Sequence, residues 1–225
     1  MYMRISHPVT YVIFDLDGVL LDTERFYTEV TQAIVERYGK AFDWSIKGDM
    51  VGRPAIESAR YLIRALDLPM TPEEFLRERE LLLERLVPYT RPMRGARELT
   101  SALAERKVPQ SIATSSHRRL YELKTRHHRE WFSVFSAVIV GDDDRLRNGK
   151  PAPDIFLLAA QDLGADPSLC AVIEDSPAGI VAAHAAGMQA IAVPDPAMDC
   201  TRFAEADLIL GSLTELSLGD LGLEG

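Results

Sequence analysis

Two aspartates, Asp15 and Asp17, stand two positions apart at the end of a short apolar run, Val9-Thr10-Tyr11-Val12-Ile13-Phe14, and Gly18 follows them. Later apolar runs are also followed by polar groups: Thr114-Ser115-Ser116, Lys150 within Asn148-Gly149-Lys150-Pro151, and Glu174-Asp175. If these runs are parallel strands, their C-terminal ends open on one crevice and the groups share a rim. Carboxylates crowded in this way raise one another's pKa unless a cation neutralises them. The donors are hard oxygens with no His or Cys among them, so the expected ion is Mg²⁺, which takes few carboxylates and keeps waters and a substrate phosphate. A carboxylate can attack phosphorus and divide one hard hydrolysis into two easier displacements. A second carboxylate nearby can protonate the leaving oxygen and later deprotonate water. Lys150 and Thr114 suit the phosphoryl oxygens whose charge changes in such a transfer.

The elements that must position these groups read as an α/β chain. Short apolar runs at 9–14, 110–113, 137–140, 171–173 and 189–193, with a sixth at 208–210, suit strands buried on both faces. Helical patterns lie between them. Ala96, Leu99, Ala102 and Leu103 repeat at helical spacing, residues 155–163 form a second such stretch, and Ser176-Pro177 offers an N-cap with proline in the first turn of a helix that Gly187 closes. Strands alternating with helices predict a doubly wound parallel sheet.

Residues 21–89 break the rhythm. Phe26, Val30, Ala33, Ile34 and Tyr38 line one helix face, Ile56, Ala59, Leu62, Ile63 and Leu66 another, and Thr71-Pro72-Glu73-Glu74 is a capping box. A helical block of this length far exceeds an ordinary strand-to-helix connection. The expected organisation is an α/β core from residues 1–20 and 90–225, with 21–89 inserted as a helical cap. The Gly- and Leu-rich tail beyond Ser212 is expected to be weakly structured.

Lys and Arg number 25 against 34 Asp and Glu, a formal net charge of −9, which argues against a general nucleic-acid or anionic-membrane binder. The 225 residues, 47% hydrophobic and 26% charged, suffice for a buried core and exclude a wholly disordered chain. No apolar stretch approaches a membrane span, and Met1 to Pro8 lacks the apolar segment of a secretory leader, so the expected address is cytoplasmic. Two cysteines, Cys170 and Cys200, permit one disulfide but do not make a disulfide scaffold, and Cys170 reads as a core residue. Nothing in the sequence requires more than a monomer.

The ordered segments Asp15-Leu16-Asp17-Gly18-Val19-Leu20-Leu21-Asp22-Thr23-Glu24, Ile112-Ala113-Thr114-Ser115-Ser116, Gly149-Lys150-Pro151-Ala152-Pro153-Asp154 and Ile173-Glu174-Asp175-Ser176-Pro177 resemble the four motifs of the haloacid dehalogenase-like hydrolase superfamily. The resemblance spans nearly the whole chain and is nearest to the helical-cap branch of β-phosphoglucomutases, sugar phosphatases and pseudouridine-5′-phosphatases. It implies Asp15 as nucleophile and metal ligand, and Asp17 as general acid/base that also lends its backbone carbonyl to the metal. It further implies Thr114, Ser115 and Lys150 as phosphate-binding groups and Asp175 as a metal-binding acid, with Glu174 as a supporting metal ligand or an acceptor behind it. Arg53, in Val51-Gly52-Arg53-Pro54, resembles a substrate-contacting residue of the cap. Family dehalogenases lack a carboxylate at the position of Asp17, which favours phosphoryl chemistry.

The expected function is therefore an Mg²⁺-dependent phosphatase acting on a small phosphorylated metabolite, a sugar phosphate or nucleoside monophosphate, through an aspartyl-phosphate. A phosphomutase shares the intermediate, but the mutases usually carry a histidine in the first cap helix where this chain has Tyr27. A receiver-like module with a phosphorylated aspartate is the non-enzymatic alternative, and the Asp-x-Asp pair and the cap speak against it. The run containing Arg118, Arg119, Lys124, Arg126, His127, His128 and Arg129 reads as a solvated helix. Trp44, Trp131, Phe132 and Phe135 read as core or junction residues.

Overall fold

Six short apolar runs pair as one parallel sheet in the computed structural model, which describes residues 9–50 and 55–223. They are β1 (Tyr11–Phe14), β2 (Gln110–Ala113), β3 (Ala137–Ile139), β4 (Cys170–Glu174), β5 (Gln189–Ala192) and β6 (Leu208–Ile209), in the spatial order β3-β2-β1-β4-β5-β6. Val12 pairs with Gln110 on one side of β1 and with Ala171 on the other. The doubly wound α/β class predicted from the alternation is the class observed.

Side chains alternate across the central strand as strand geometry demands. Val12 and Phe14 enter one apolar cluster, and Ile13 enters another on the opposite face. The helices are α1 (Glu24–Glu36), α2 (Trp44–Met50), α3 (Ala55–Leu66), α4 (Pro72–Leu86), α5 (Ala96–Glu105), α6 (Arg118–Thr125), α7 (Arg129–Phe132), α8 (Asp154–Leu163) and α9 (Pro177–Ala185). The first cluster takes residues from α5 and α7, the second from α8 and α9. Trp131, Phe132 and Phe135 are in the first cluster, as expected of core aromatics, and the Trp131 indole donates to the Thr100 hydroxyl (2.8 Å).

Helices α1 to α4 follow β1 and make a third cluster of their own around Phe26, Ile34, Leu62 and Phe75. Thr71 caps α4 as predicted: its hydroxyl accepts from the Glu74 N–H, and the Glu74 carboxylate accepts from the Thr71 N–H. The buried face of α1 differs from the predicted one. Thr31 and Val35 are buried while Ala33 and Tyr38 are exposed. Tyr38 lies beyond the end of the helix, and the buried stripe follows positions 26, 30, 31, 34 and 35. Trp44, which begins α2, is 37% exposed, so of the two expected settings, core or junction, it is not in the core.

The connections on either side of this helical layer run side by side. The Asp22 N–H donates to the Arg91 carbonyl (2.8 Å), the Met93 N–H donates to the Leu20 carbonyl (2.9 Å), and Leu21 pairs antiparallel with Pro92. The tail beyond Ser212 corrects its expectation. Leu213, Leu216 and Leu221 are buried in the first cluster, and the Val9 N–H donates to the Leu221 carbonyl (3.1 Å). A 3-10 turn at Leu213–Glu215, capped by the Ser212 hydroxyl, packs against α5, and the apolar residues after it bury with little further regular structure. Cys170 and Cys200 are both free thiols. Among the described residues no helix is long and apolar enough to cross a membrane.

Candidate active site

The sheet reverses its winding between β1 and β4, and the crevice at such a point gathers whatever follows the strand ends. Asp15 follows β1, Thr114 follows β2, and Asp175 follows β4 with Glu174 as that strand's last residue. Lys150 comes from the loop before α8 and reaches across the rim. Its ammonium donates to Asp15 Oδ1 (2.5 Å), Glu174 Oε1 (2.6 Å) and the Ala113 carbonyl (3.1 Å). The sequence thus identified a set of groups that the fold brings together, with the exception of Arg53, which lies outside the described residues.

Glu174 is held from both ends. Its second oxygen, Oε2, accepts from the Asp175 N–H (2.9 Å), the Ser176 N–H (2.8 Å) and the Ser176 hydroxyl (2.9 Å). The Ser176 hydroxyl in turn caps α9 by accepting from the Gly179 N–H (3.1 Å). Sequence reasoning offered Glu174 as a supporting metal ligand or as an acceptor behind the ligands; in the structure both its oxygens already accept hydrogen bonds, and one of them fixes Lys150.

Asp17 has a cation of its own, which sequence reasoning missed. Lys124, assigned from its basic neighbours to a solvated helix, is fully buried. Its ammonium donates to Asp17 Oδ1 (2.5 Å), the Ser116 hydroxyl (2.7 Å) and the Tyr27 hydroxyl (3.3 Å). The Thr23 hydroxyl adds a bond to Asp17 Oδ1 (2.6 Å), and Ser116 and Thr114 donate to Oδ2 (2.9 and 3.4 Å). The available signal was helical spacing: Lys124 lies four residues after Leu120, on the face of α6 that is buried. His128 also departs from the solvated reading, since its ring stacks on Phe132 and bonds the Thr90 carbonyl (3.0 Å).

The two aspartates are consequently tuned in opposite directions. Burial pushes Asp15 up to about 7; Lys150 opposes this, while Glu174 and Asp17 add to it. Burial also pushes Asp17 up, but Lys124 and the hydroxyls of Thr23 and Ser116 outweigh it and hold the carboxyl below its ordinary value. Lys150 is held charged by Asp15 and Glu174 against the cost of its burial.

Asp175 is raised well above the ordinary carboxylate value, first by burial and then by Glu174, Asp15 and Glu24. Among the described residues no three His, Cys, Asp or Glu side chains form a ready metal cluster. Asp15 and Asp175 are two carboxylates in mutual repulsion that could serve as donors. That set matches a hard cation that takes one or two carboxylates and completes its shell with water and phosphate oxygens. Gly18 keeps the space beside Asp175 open: it has φ +76°, and a Cβ there would collide with the Asp175 carboxylate.

A cleft of about 250 Å³ opens above these groups, lined by Asp15, Asp17, Lys150 and Asp175 from the sheet side and by Tyr27 and Lys47 from the helical layer. A second chamber of about 520 Å³ shares Asp17, Tyr27, Arg79, Ser115 and Lys150 with it. Ser115 is exposed to this space, whereas Thr114 is fully buried beneath it. Trp44 also lines the first chamber, where the Lys47 ammonium sits over its ring at 4.6 Å. Among the described residues, then, both aspartates face one cleft, each with its own lysine.

The chain is similar to known proteins over nearly its whole length. The chain is 46% identical over 220 residues to (DL)-glycerol-3-phosphatase 2 of Arabidopsis thaliana, covering 96% of this chain and 92% of that one. It is 43% identical over 223 residues to a probable pseudouridine-5′-phosphatase of Drosophila melanogaster, covering 98% and 96%. Among solved structures, a haloacid dehalogenase family hydrolase from Deinococcus radiodurans, with bound phosphate and sodium, superposes with a TM-score of 0.78 at 30% identity, covering 96% and 97%. Residues 9–187 match the family described as haloacid dehalogenase-like hydrolase, and the chain belongs to that family of enzymes.

Proposed function

We propose that this protein is an Mg²⁺-dependent phosphatase that hydrolyses a small phosphomonoester through an aspartyl-phosphate on Asp15. The observation that carries this reading is the pair of aspartates two residues apart, one bonded to Lys150 and the other to Lys124, at one cleft. Phosphatases that are over 40% identical and named for glycerol 3-phosphate and pseudouridine 5′-phosphate support the substrate class, a polyol, sugar or nucleoside carrying one phosphate.

Asp17, ionised in the free protein beside Lys124, takes up a proton as the substrate's phosphate dianion binds next to it; in the first step an Asp15 oxygen attacks phosphorus while the bond to the leaving oxygen breaks and Asp17 gives that oxygen its proton. In the second, water gives that proton back to Asp17 and attacks phosphorus, so that Asp15 is released with inorganic phosphate. Lys150 is hydrogen-bonded to Asp15, where the phosphoryl group would form, and Thr114 and Ser115 follow the adjoining strand. Asp15, Asp175 and the Asp17 carbonyl would hold Mg²⁺, which, when bound, offsets the negative charge that builds on the phosphoryl oxygens. Helices α1 to α4, within residues 21–89, act as a cap that excludes bulk water and selects the leaving group.

Mutase chemistry would retain the same intermediate and pass the phosphoryl group to a sugar hydroxyl. Tyr27 bonds Lys124 at the place where mutases carry histidine, which favours hydrolysis. The test is release of phosphate from p-nitrophenyl phosphate and from a panel of small phosphomonoesters with Mg²⁺, and again after chelation. Turnover that chelation removes and Mg²⁺ restores is the expected result. No turnover across the panel by folded protein would refute the proposal.

A further inference from the structure

Arg79 is the cleft cation that the scheme above leaves unused. It stands on α4, and its guanidinium carbon lies 5.5 Å from the centroid of the Tyr27 ring and 5.7 Å from that of Phe75. Its Nε is buried without a hydrogen-bond partner. The other cleft cations are committed: Lys47 bonds Glu24 (3.2 Å) and Thr28 (3.0 Å), and Lys150 bonds Asp15 and Glu174. Among the described residues Arg79 forms neither a hydrogen bond nor an ion pair.

A planar, permanently charged donor left unmade in a partly buried setting is costly unless something else supplies the acceptor. Tyr27 places Arg79 close to the chemistry, because the same ring lies 5.4 Å from the Lys124 ammonium that holds Asp17. A leaving oxygen protonated by Asp17 therefore has the remainder of its molecule in the chambers whose wall carries Arg79. Burial lowers the proton affinity of the guanidinium, while Tyr27, Glu24 and Glu80 pull it back up. Those two carboxylates disfavour a second full anion beside Arg79, and the hydroxyls of Thr28 and Ser58 line the same space. A neutral hydroxylated group suits both signs: its oxygen accepts from Arg79 and its hydrogen can donate to a carboxylate.

We propose that Arg79 is a specificity-determining residue that donates to a hydroxyl oxygen of the leaving alcohol, and so selects polyol and sugar phosphates over plain alkyl phosphates. This rests on the phosphatase reading and adds to it the group on the substrate that is recognised.

The test compares glycerol 3-phosphate with n-propyl phosphate, which has the same carbon count and no free hydroxyl. The wild type should prefer the former in kcat/KM by about 10- to 100-fold, the worth of a hydrogen bond to a charged donor. Arg79→Met should reduce that preference to within about threefold, and Arg79→Lys, which retains the cation over the two rings but loses the fork, should reduce it partly. The same two ligands are then titrated calorimetrically into Asp15→Asn with and without Arg79→Met, where binding is read without turnover. If the wild type turns over neither these compounds nor any of the wider panel, the phosphatase reading fails, and the ratio of the two affinities still decides the role of Arg79. A preference unchanged in both Arg79 variants, or equal affinities for the two ligands in Asp15→Asn, would overturn the proposal.

Discussion

At the scale of single residues, the site separates two jobs by giving each aspartate a different setting. Asp15, buried among carboxylates, is the acid whose charge needs outside help, and Lys150 supplies part of it. Asp15→Asn should lower turnover of any phosphomonoester by at least about 10³-fold, because an amide cannot take over the displacement. Circular dichroism should show an unchanged fold, and mass spectrometry no phosphorylated protein. Asp17 is held ionised by Lys124, so the pair contributes stability above the ordinary aspartate value and loses it as pH falls through the depressed one. Lys124→Met removes the lowering influence and leaves burial in charge. The carboxyl then rises above its ordinary value, and the sign reverses: stability declines as pH rises through that range. Urea denaturation should show a loss of about 3–5 kcal/mol at pH 7 and a clearly smaller one at pH 4. An equal loss at both values would mean that Lys124 acts through packing alone.

At the scale of elements, what the strand ends carry was legible because period and position are local properties. Asp15, Glu174 and Asp175 each follow an uninterrupted apolar run, and Ser176-Pro177 announces α9 by its capping chemistry. Lys124 was illegible in the same terms, since a lysine among Arg and His reads as surface, and only the placement of α6 beside Asp17 buries it. Arg79 and Lys47 likewise stand on helices whose polar faces look solvated until the sheet is set opposite them. Trp44 proves to be a junction residue and not a core one, and the sequence could not separate the two, because an aromatic that shapes a cleft carries the same local signal as one that fills a core. Helix α9 illustrates how closely an element is fitted to the site. A Cβ on Gly179 would overlap the Glu174 carboxylate, which is pinned by Ser176 and Lys150 and cannot yield. Alanine is the better helix former by about 1 kcal/mol, but overpacking costs about 1–3 kcal/mol. Gly179→Ala is expected to lower stability by up to about 2 kcal/mol and kcat by about tenfold or more, through displaced Lys150. Thermal melts and steady-state kinetics on one preparation check both.

At the scale of the whole molecule, the chain closes on itself across the face of the sheet that carries Phe14. Leu221 is fully buried there although its segment has no regular structure, and its carbonyl takes the Val9 N–H at the entry to β1. Leu221→Ala should cost about 2–5 kcal/mol in a denaturant melt, as for any fully buried leucine; a loss under about 0.5 kcal/mol, the range of surface substitutions, would return the tail to its expected looseness. The paired connections around Leu20–Asp22 and Arg91–Met93 have a mechanical corollary. They join the helical layer to the sheet through a double-stranded pin, which the ion pairs Glu80–His117 and Glu84–Arg119 supplement. Leu21 in that pin also bridges to Asp17, and Thr23 and Tyr27, just beyond it, reach Asp17 directly and through Lys124. If the layer closes in the proposed reaction, the movement reaches Asp17 through these same contacts, and enclosing a guest and aiming the proton become a single event.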